Sequence, residues 1–329
     1  MDYKKYAIID LHLHLDGSLS AKAIIKIAKK EGIKIPSFEE KELNEYLIVP
    51  HNCGSLNEYL ERFSLPNLVL QSKYGLEVCT TDLLERLAKD GLKYVEIRMA
   101  PQLSTDQGLT QEKVVKILIK TMKKARKSCI FSNLILCMMR GNDTHEKNFE
   151  TIGIAKKFLG KGVVAMDLAG AEALFPNELF KKEFEEINKL GIPLTIHSGE
   201  AAGSESVSSA LKFGAARIGH GIHSIEDKNV IKELIKRGVC LEICPKSNLD
   251  TKTINKYEDL PIREFMKNGI KVTINTDDMT VSNTTLKQEY ETLVKLGFSE
   301  EELKSFAKNS IDFAFCNSKL KGYLNSLIK

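Results

Sequence analysis

The chain has 329 residues, of which 43% are hydrophobic and 28% charged, with 48 Lys and Arg against 44 Asp and Glu. These values are ordinary for a globular protein, so they exclude a disordered, collagenous or coiled-coil chain, and this length can bury a large core. The small positive excess is dispersed, and its densest group (Lys120, Lys123, Lys124, Arg126 and Lys127) falls in one helix-like stretch, as a solvated helix face does.

Eight short apolar runs, bounded by Gly, Pro or polar residues, read as strands. The first, Tyr6–Leu13, is followed by a helix that Ser20 caps, with Ile24, Ile25, Ile27 and Ala28 inward and Gly32 past its end. The interval from Leu13 to Leu92 far exceeds the ~30 residues of one βα unit. It must hold extra helices, such as those around Asn57–Phe63 and Leu76–Lys89. Strand Leu92–Met99 precedes a helix after Thr110 with a stripe of Val114, Val115, Leu118 and Met122. Strands Asn133–Met138, Gly162–Leu168 and Ile192–His197 follow, with a helix over Phe180–Leu190 before the last of them. Strand Ala215–Gly219, a helix over Val230–Lys236, and strands Val239–Cys244 and Ile270–Thr276 complete the set, and Ser299 with Glu302 forms a capping-box pattern before Leu303 and Phe306. Most runs are continuously apolar, as parallel strands covered on both faces are. Strand alternating with helix predicts an α/β fold, a (β/α)8 TIM barrel with extra helices between strands 1 and 2, as one domain over residues 1–329.

Seven cysteines, an odd number with no CxxC pair, exclude a disulfide scaffold and a zinc ribbon, and they suit a reducing cytosol. Asp10 and His12 interrupt the N-terminal apolar run, so it is no signal peptide. No stretch approaches the ~20 apolar residues of a membrane span. Without Trp, and without basic stretches interleaved with aromatics, nucleic acid is not an expected partner. A soluble cytoplasmic monomer acting on a small molecule is expected.

The ends of the strands carry the chemistry. Strand 1 ends in His12-Leu13-His14, and side chains at i and i+2 share a face, so both imidazoles can reach one ion in the barrel mouth. Strand 5 ends in His197-Ser198-Gly199-Glu200, strand 6 in Gly219-His220-Gly221, and strand 8 in Thr276-Asp277-Asp278. Four of the seven histidines thus occupy the places where a barrel exposes its catalytic groups. Three imidazoles and one carboxylate, from His12, His14, His197 and Asp277, form a set for which zinc is the default ion. Strand 4 offers no Lys for a bridging carbamate, so one ion is expected rather than two. Glu200 can move a proton to or from a substrate; it can equally be a helix N-terminal carboxylate. His220 is a second proton handler, with a fifth ligand or a core histidine as the alternatives. Asp278 points away from the ion if the strand continues, and accepts a substrate N–H if it lies in a loop. His51, His145 and His223 read as surface or structural residues, and Cys240 and Cys244 as packed thiols.

The ordered motifs DLHLHLDGSL (10–19), DLAG (167–170), HSGE (197–200), RIGHG (217–221), CPKSN (244–248) and INTDD (274–278) resemble the adenosine deaminase family. EYLERFSLPNLVLQ (58–71) and YVEIRMAPQL (94–103) look like its bacterial members. The resemblance implies zinc-dependent hydrolytic deamination of adenosine, and of 2′-deoxyadenosine, to inosine and ammonia in purine salvage. It implies His12, His14, His197 and Asp277 on one Zn²⁺, Glu200 protonating purine N1, His220 orienting the attacking hydroxide, Asp278 at N7 and the Gly170 backbone at N3. Asp16 would meet the ribose 5′-hydroxyl, where adenine deaminases usually carry Glu, and it would repel a 5′-phosphate. An adenine deaminase or another purine aminohydrolase is the alternative. Ala171, Ser198 and Ser104 depart from the family pattern beside the pocket, which bears on selectivity rather than on the reaction.

Overall fold

The computed structural model describes residues 3–126 and 130–328, so Lys127 and Cys129 lie outside the described residues. Eight strands occur in the expected places: β1 Ile9–His14, β2 Tyr94–Met99, β3 Phe131–Met139, β4 Val163–Ala169, β5 Thr195–Ser198, β6 Arg217–His220, β7 Cys240–Ile243 and β8 Lys271–Ile274. Consecutive strands pair in parallel from β1 to β4 and from β5 to β8. Two short parallel bridges join these halves, Met166 with Leu194 and Leu13 with Asp277. At the second seam the Asp277 N–H donates to the His12 carbonyl and the His14 N–H to the Asp277 carbonyl, each at 2.8 Å. The molecule is therefore a (β/α)8 barrel, and the end of its last strand closes onto its first.

Local signals set the helix boundaries. The Ser20 hydroxyl accepts from the Ala23 N–H, and Gly32 ends that helix in the left-handed region. Thr110 caps Gln111–Ala125, and Ser299 with Glu302 completes a capping box on Glu300–Phe313. The long β1–β2 interval holds five helices: α1 Ala21–Glu31, α2 Glu40–Leu47, α3 Leu56–Leu60, α4 Ser64–Val69 and α5 Lys73–Lys89. α2 and α4 escape sequence reading because each is short, and α2 buries only Leu43 and Leu47 in an otherwise charged run. The α3–α4 segment places Leu56, Tyr59, Leu60, Phe63 and Asn67 over the mouth of the barrel. Among the described residues no helix is long and apolar enough to cross a membrane.

The strands are buried on both faces, yet their two faces differ. Val95, Ile97 and Met99 of β2 join the main apolar core under the helices. The alternate residues Glu96 and Arg98 are fully buried in an ionic interior. Arg98 pairs with Asp167 (2.9 Å) and Glu242, and Arg217 pairs with Glu96 (2.7 Å) and Glu242 (2.5 Å). This corrects the continuous apolar reading of the strands.

Candidate active site

β1 projects His12 and His14 from one face, and β5 brings His197 beside them. His12 Nε2 lies 3.1 Å and His14 Nε2 3.2 Å from His197 Nε2, and Asp277 Oδ1 is 3.2 and 3.4 Å from the first two. Four ligand atoms thus converge on one point. Zinc bonds of about 2.0–2.1 Å in tetrahedral array require ligand atoms roughly 3.3 Å apart, which is the spacing found. The charge pattern agrees with a cation. Arg98 pairs with Asp167 and Glu242, and Arg217 with Glu96 and Glu242, whereas Asp277 faces His12, His14 and His220 and no arginine. Burial and Arg98 oppose a proton on His12, but Asp277 and Glu242 outweigh them and raise its pKa. The interior favours positive charge at this point, and the donor set fits a divalent ion.

Outer residues orient these ligands. His12 Nδ1 faces Glu242 at 3.0 Å and His197 Nδ1 faces Asp167 at 2.9 Å, which leaves both Nε2 lone pairs directed at the common point. Ser247 donates to Asp277 Oδ2 at 2.7 Å, so Oδ1 is the oxygen free to ligate. Asp277 (φ 61°) and His220 (φ 62°) both occupy the left-handed region, two of four non-glycine residues described there. Such conformations cost on the order of 1–3 kcal/mol and concentrate at functional sites.

That backbone turn answers the open question on Asp278. β8 stops at Ile274, and beyond it Asp277 and Asp278 both face the cavity. The Tyr59 hydroxyl donates to Asp278 Oδ2 at 3.0 Å and also meets Ser282 Oγ at 2.8 Å, tying α3 to the floor of the site. Asp278 Oδ1 has no partner. Burial, reinforced by Asp277 and Asp16, pushes its pKa well above the usual carboxylate range. Glu200 behaves alike: burial, then Asp277 and Glu172, raise its pKa well above normal, and its Oε1 is unpartnered. Glu200 lies outside the helix Ser204–Lys212, whose first turn carries Glu205 instead, so the helix-terminus reading fails. His220 Nε2 stands 3.5 Å from Glu200, while the Asn248 amide donates to His220 Nδ1 at 3.0 Å, placing the ring proton on Nε2. Burial holds both His14 and His220 well below the ordinary imidazole pKa.

These groups line a cavity of about 320 Å³, with Asp16, Gly170 and Ala171 on its wall and Leu56, Leu60, Phe63, Leu103 and Met139 as its apolar lining. That size admits a small molecule. Burial raises the pKa of Asp16 to about 6. Ser198 turns away from the cavity lining and accepts from the Asn177 amide, and Ser104 is buried. His51 is exposed, and His145 and His223 pair with Glu183 and Glu226 away from the cavity. Cys240 and Cys244 are buried thiols. Sequence reading gave no role to Arg98, Asp167, Glu242, Ser247, Asn248, Tyr59, Arg140 or Glu172. Asp167, Ser247 and Asn248 lie within motifs already noted, whereas Glu172 carries no sequence signal.

The chain is similar to known proteins over nearly its whole length. A family described as "Adenosine deaminase" matches residues 8–329. An adenosine deaminase of Haemophilus ducreyi is 48% identical over 323 residues, covering 96% of this chain and 94% of that one. One from Clostridium perfringens is 43% identical over 320 residues, covering 95% of each. Among solved structures, an adenine deaminase from Arthrobacter aurescens superposes with a TM-score of 0.88 at 27% identity, covering 98% of this chain and 97% of that one.

Proposed function

Because the chain belongs to the adenosine deaminase family, we propose that it deaminates adenosine, and 2′-deoxyadenosine, hydrolytically to inosine and ammonia in purine salvage, with one zinc ion held by His12, His14, His197 and Asp277. The observation that carries the reading is two buried carboxyl groups whose pKa is pushed up, Glu200 and Asp278, beside a convergent cluster of four potential ligands in one cavity. When bound, zinc is a Lewis acid that makes water nucleophilic at neutral pH.

The chain's own residues supply the rest. A protonated Glu200 donates to purine N1, which lets electron density leave the C6 centre under attack. His220, with its proton on Nε2, faces the side of Glu200 and Asp277 and orients the nucleophile. A protonated Asp278 donates to N7, the Gly170 backbone meets N3, and Asp16 meets the ribose 5′-hydroxyl. The apolar wall under α3 and α4 excludes water. Water adds at C6, the C6–N bond breaks, and the amino group leaves as ammonia. We also propose one domain over residues 1–329 and a cytoplasmic monomer.

A spectrophotometric assay with adenosine, 2′-deoxyadenosine, adenine and AMP, before and after chelation and zinc restoration, tests this. Chelator-sensitive conversion of the two nucleosides, with adenine and AMP inert, is expected. Conversion of adenine would keep the chemistry and remove Asp16 as the selector, and it would align the chain with its Arthrobacter neighbour. No conversion of any substrate by zinc-loaded protein would sink the reading.

A further inference from the structure

The Glu200 loop is held from outside the cavity by a residue that touches neither the cavity nor the ligand cluster. Glu172, 2% exposed, accepts four successive backbone N–H groups, from Gly199 (2.7 Å), Glu200 (3.0 Å), Ala201 (2.7 Å) and Ala202 (3.1 Å). It also accepts from the Ser206 hydroxyl at 2.5 Å. All five partners are donors, so the carboxylate acts as an acceptor throughout. The preceding carbonyl, that of His197, is held by Arg140 Nη2 at 2.7 Å. A cation grips the carbonyl end of the turn and an anion grips its N–H end. Gly199 turns there in the left-handed region (φ 71°), which glycine adopts without steric cost, and it packs against Val207 too closely for a Cβ.

We infer that Glu172 is a positioning residue for Glu200, clamping the backbone of residues 199–202 so that the Glu200 carboxyl is fixed against the substrate. This rests on the proton-donating role proposed for Glu200. Glu200 has no anchor on its Oε1, and His220 Nε2 stands 3.5 Å from its Oε2, so the backbone that carries it bears on its aim. A carboxylate accepting several N–H bonds is a rigid clamp, because each bond is charge-assisted and losing that from Gly199 or Glu200 leaves a buried N–H unpaired. Glu172 also follows Gly170 and Ala171 on the cavity wall, so its hydrogen bonds tie that wall segment to the Glu200 loop.

The test is Glu172→Gln in the zinc-loaded enzyme. One oxygen becomes an NH₂ group that faces backbone donors, with no change in size. The expected result is a kcat at least tenfold lower with KM and zinc content within twofold of wild type. Ser206→Ala, which keeps the carboxylate and removes one of its five donors, should give a few-fold loss in kcat alone. In a Glu200→Ala background, Glu172→Gln should cost nothing further. Unchanged kcat in Glu172→Gln, or an undiminished loss in the Glu200→Ala background, would overturn the inference. If Glu172→Gln is too unstable to purify, the Ser206→Ala arm decides: a loss of zinc or a raised KM in place of a lower kcat would overturn it. Near-normal turnover of Glu200→Ala itself would instead overturn the role of Glu200.

Discussion

At the scale of the residue, burial pushes the pKa of Glu200 and Asp278 up, while neighbouring histidines hold that of Asp277 down and His197 with Arg98 that of Asp167. Glu200→Ala should retain zinc and bind substrate while turnover falls by about 10²–10⁴, the usual worth of a positioned proton donor. Metal analysis with steady-state kinetics reads both quantities. If turnover stays within tenfold of wild type, the role of Glu200 is lost. Gly17 shows how closely the site is packed. A Cβ there would overlap the Asp278 carboxyl, so Gly17→Ala should displace Asp278 and lower kcat/KM by at least tenfold, with zinc content unchanged. A crystal structure of that variant with Asp278 undisturbed would contradict the expectation. The sequence reveals the histidines because they interrupt apolar runs at strand ends. It hides the direction of Asp278, because nothing in the letters announces that Asp277 adopts φ 61° and swings the next residue into the cavity. It hides Glu172 too, because a carboxylate that bonds backbone needs no partner side chain and leaves no spacing to read.

At the scale of the element, the short helix Pro245–Asp250 supplies both Ser247, against Asp277, and Asn248, against His220. Its start is held by Glu289 of the helix Leu286–Lys295, which accepts from the Lys246 N–H at 3.1 Å and from the Thr284 hydroxyl. Burial raises the Glu289 pKa to about 8 from the usual 4.5. Between these values the folded chain holds a proton that the unfolded chain has released. Stability therefore falls as pH rises through this window and levels off above it. The fall is a few kcal/mol at most, since each tenfold difference in proton affinity between the two states is worth ~1.4 kcal/mol. Glu289→Gln should flatten that slope, as urea unfolding at pH 5, 6.5 and 8 would show; an unchanged slope would place the effect elsewhere. The strands were readable as elements, and so were the capped helices. Their ionic inner faces were not, because Glu96, Arg98 and Glu242 in a strand look like solvent-facing residues until closure turns that face inward.

At the scale of the whole molecule, the barrel encloses Asp277 among the proposed zinc ligands with no arginine against it. Removing the ion should destabilise the fold as well as stop turnover. Free zinc at a thousandfold excess over its dissociation constant contributes about 4 kcal/mol. Thermal scans in chelator and after zinc restoration should differ by several degrees, reversibly; equal midpoints would show that the interior balances its charge by other means. The closure between β8 and β1 has a consequence in time. His12 and His14 leave the ribosome before any other part of the barrel, whereas Asp277, which locks its backbone to both, follows only after all eight strands. The last proposed ligand and the last seam arrive together, so the four-ligand set is complete only once the barrel closes, and a chain cut before β8 carries histidines without a place to assemble them.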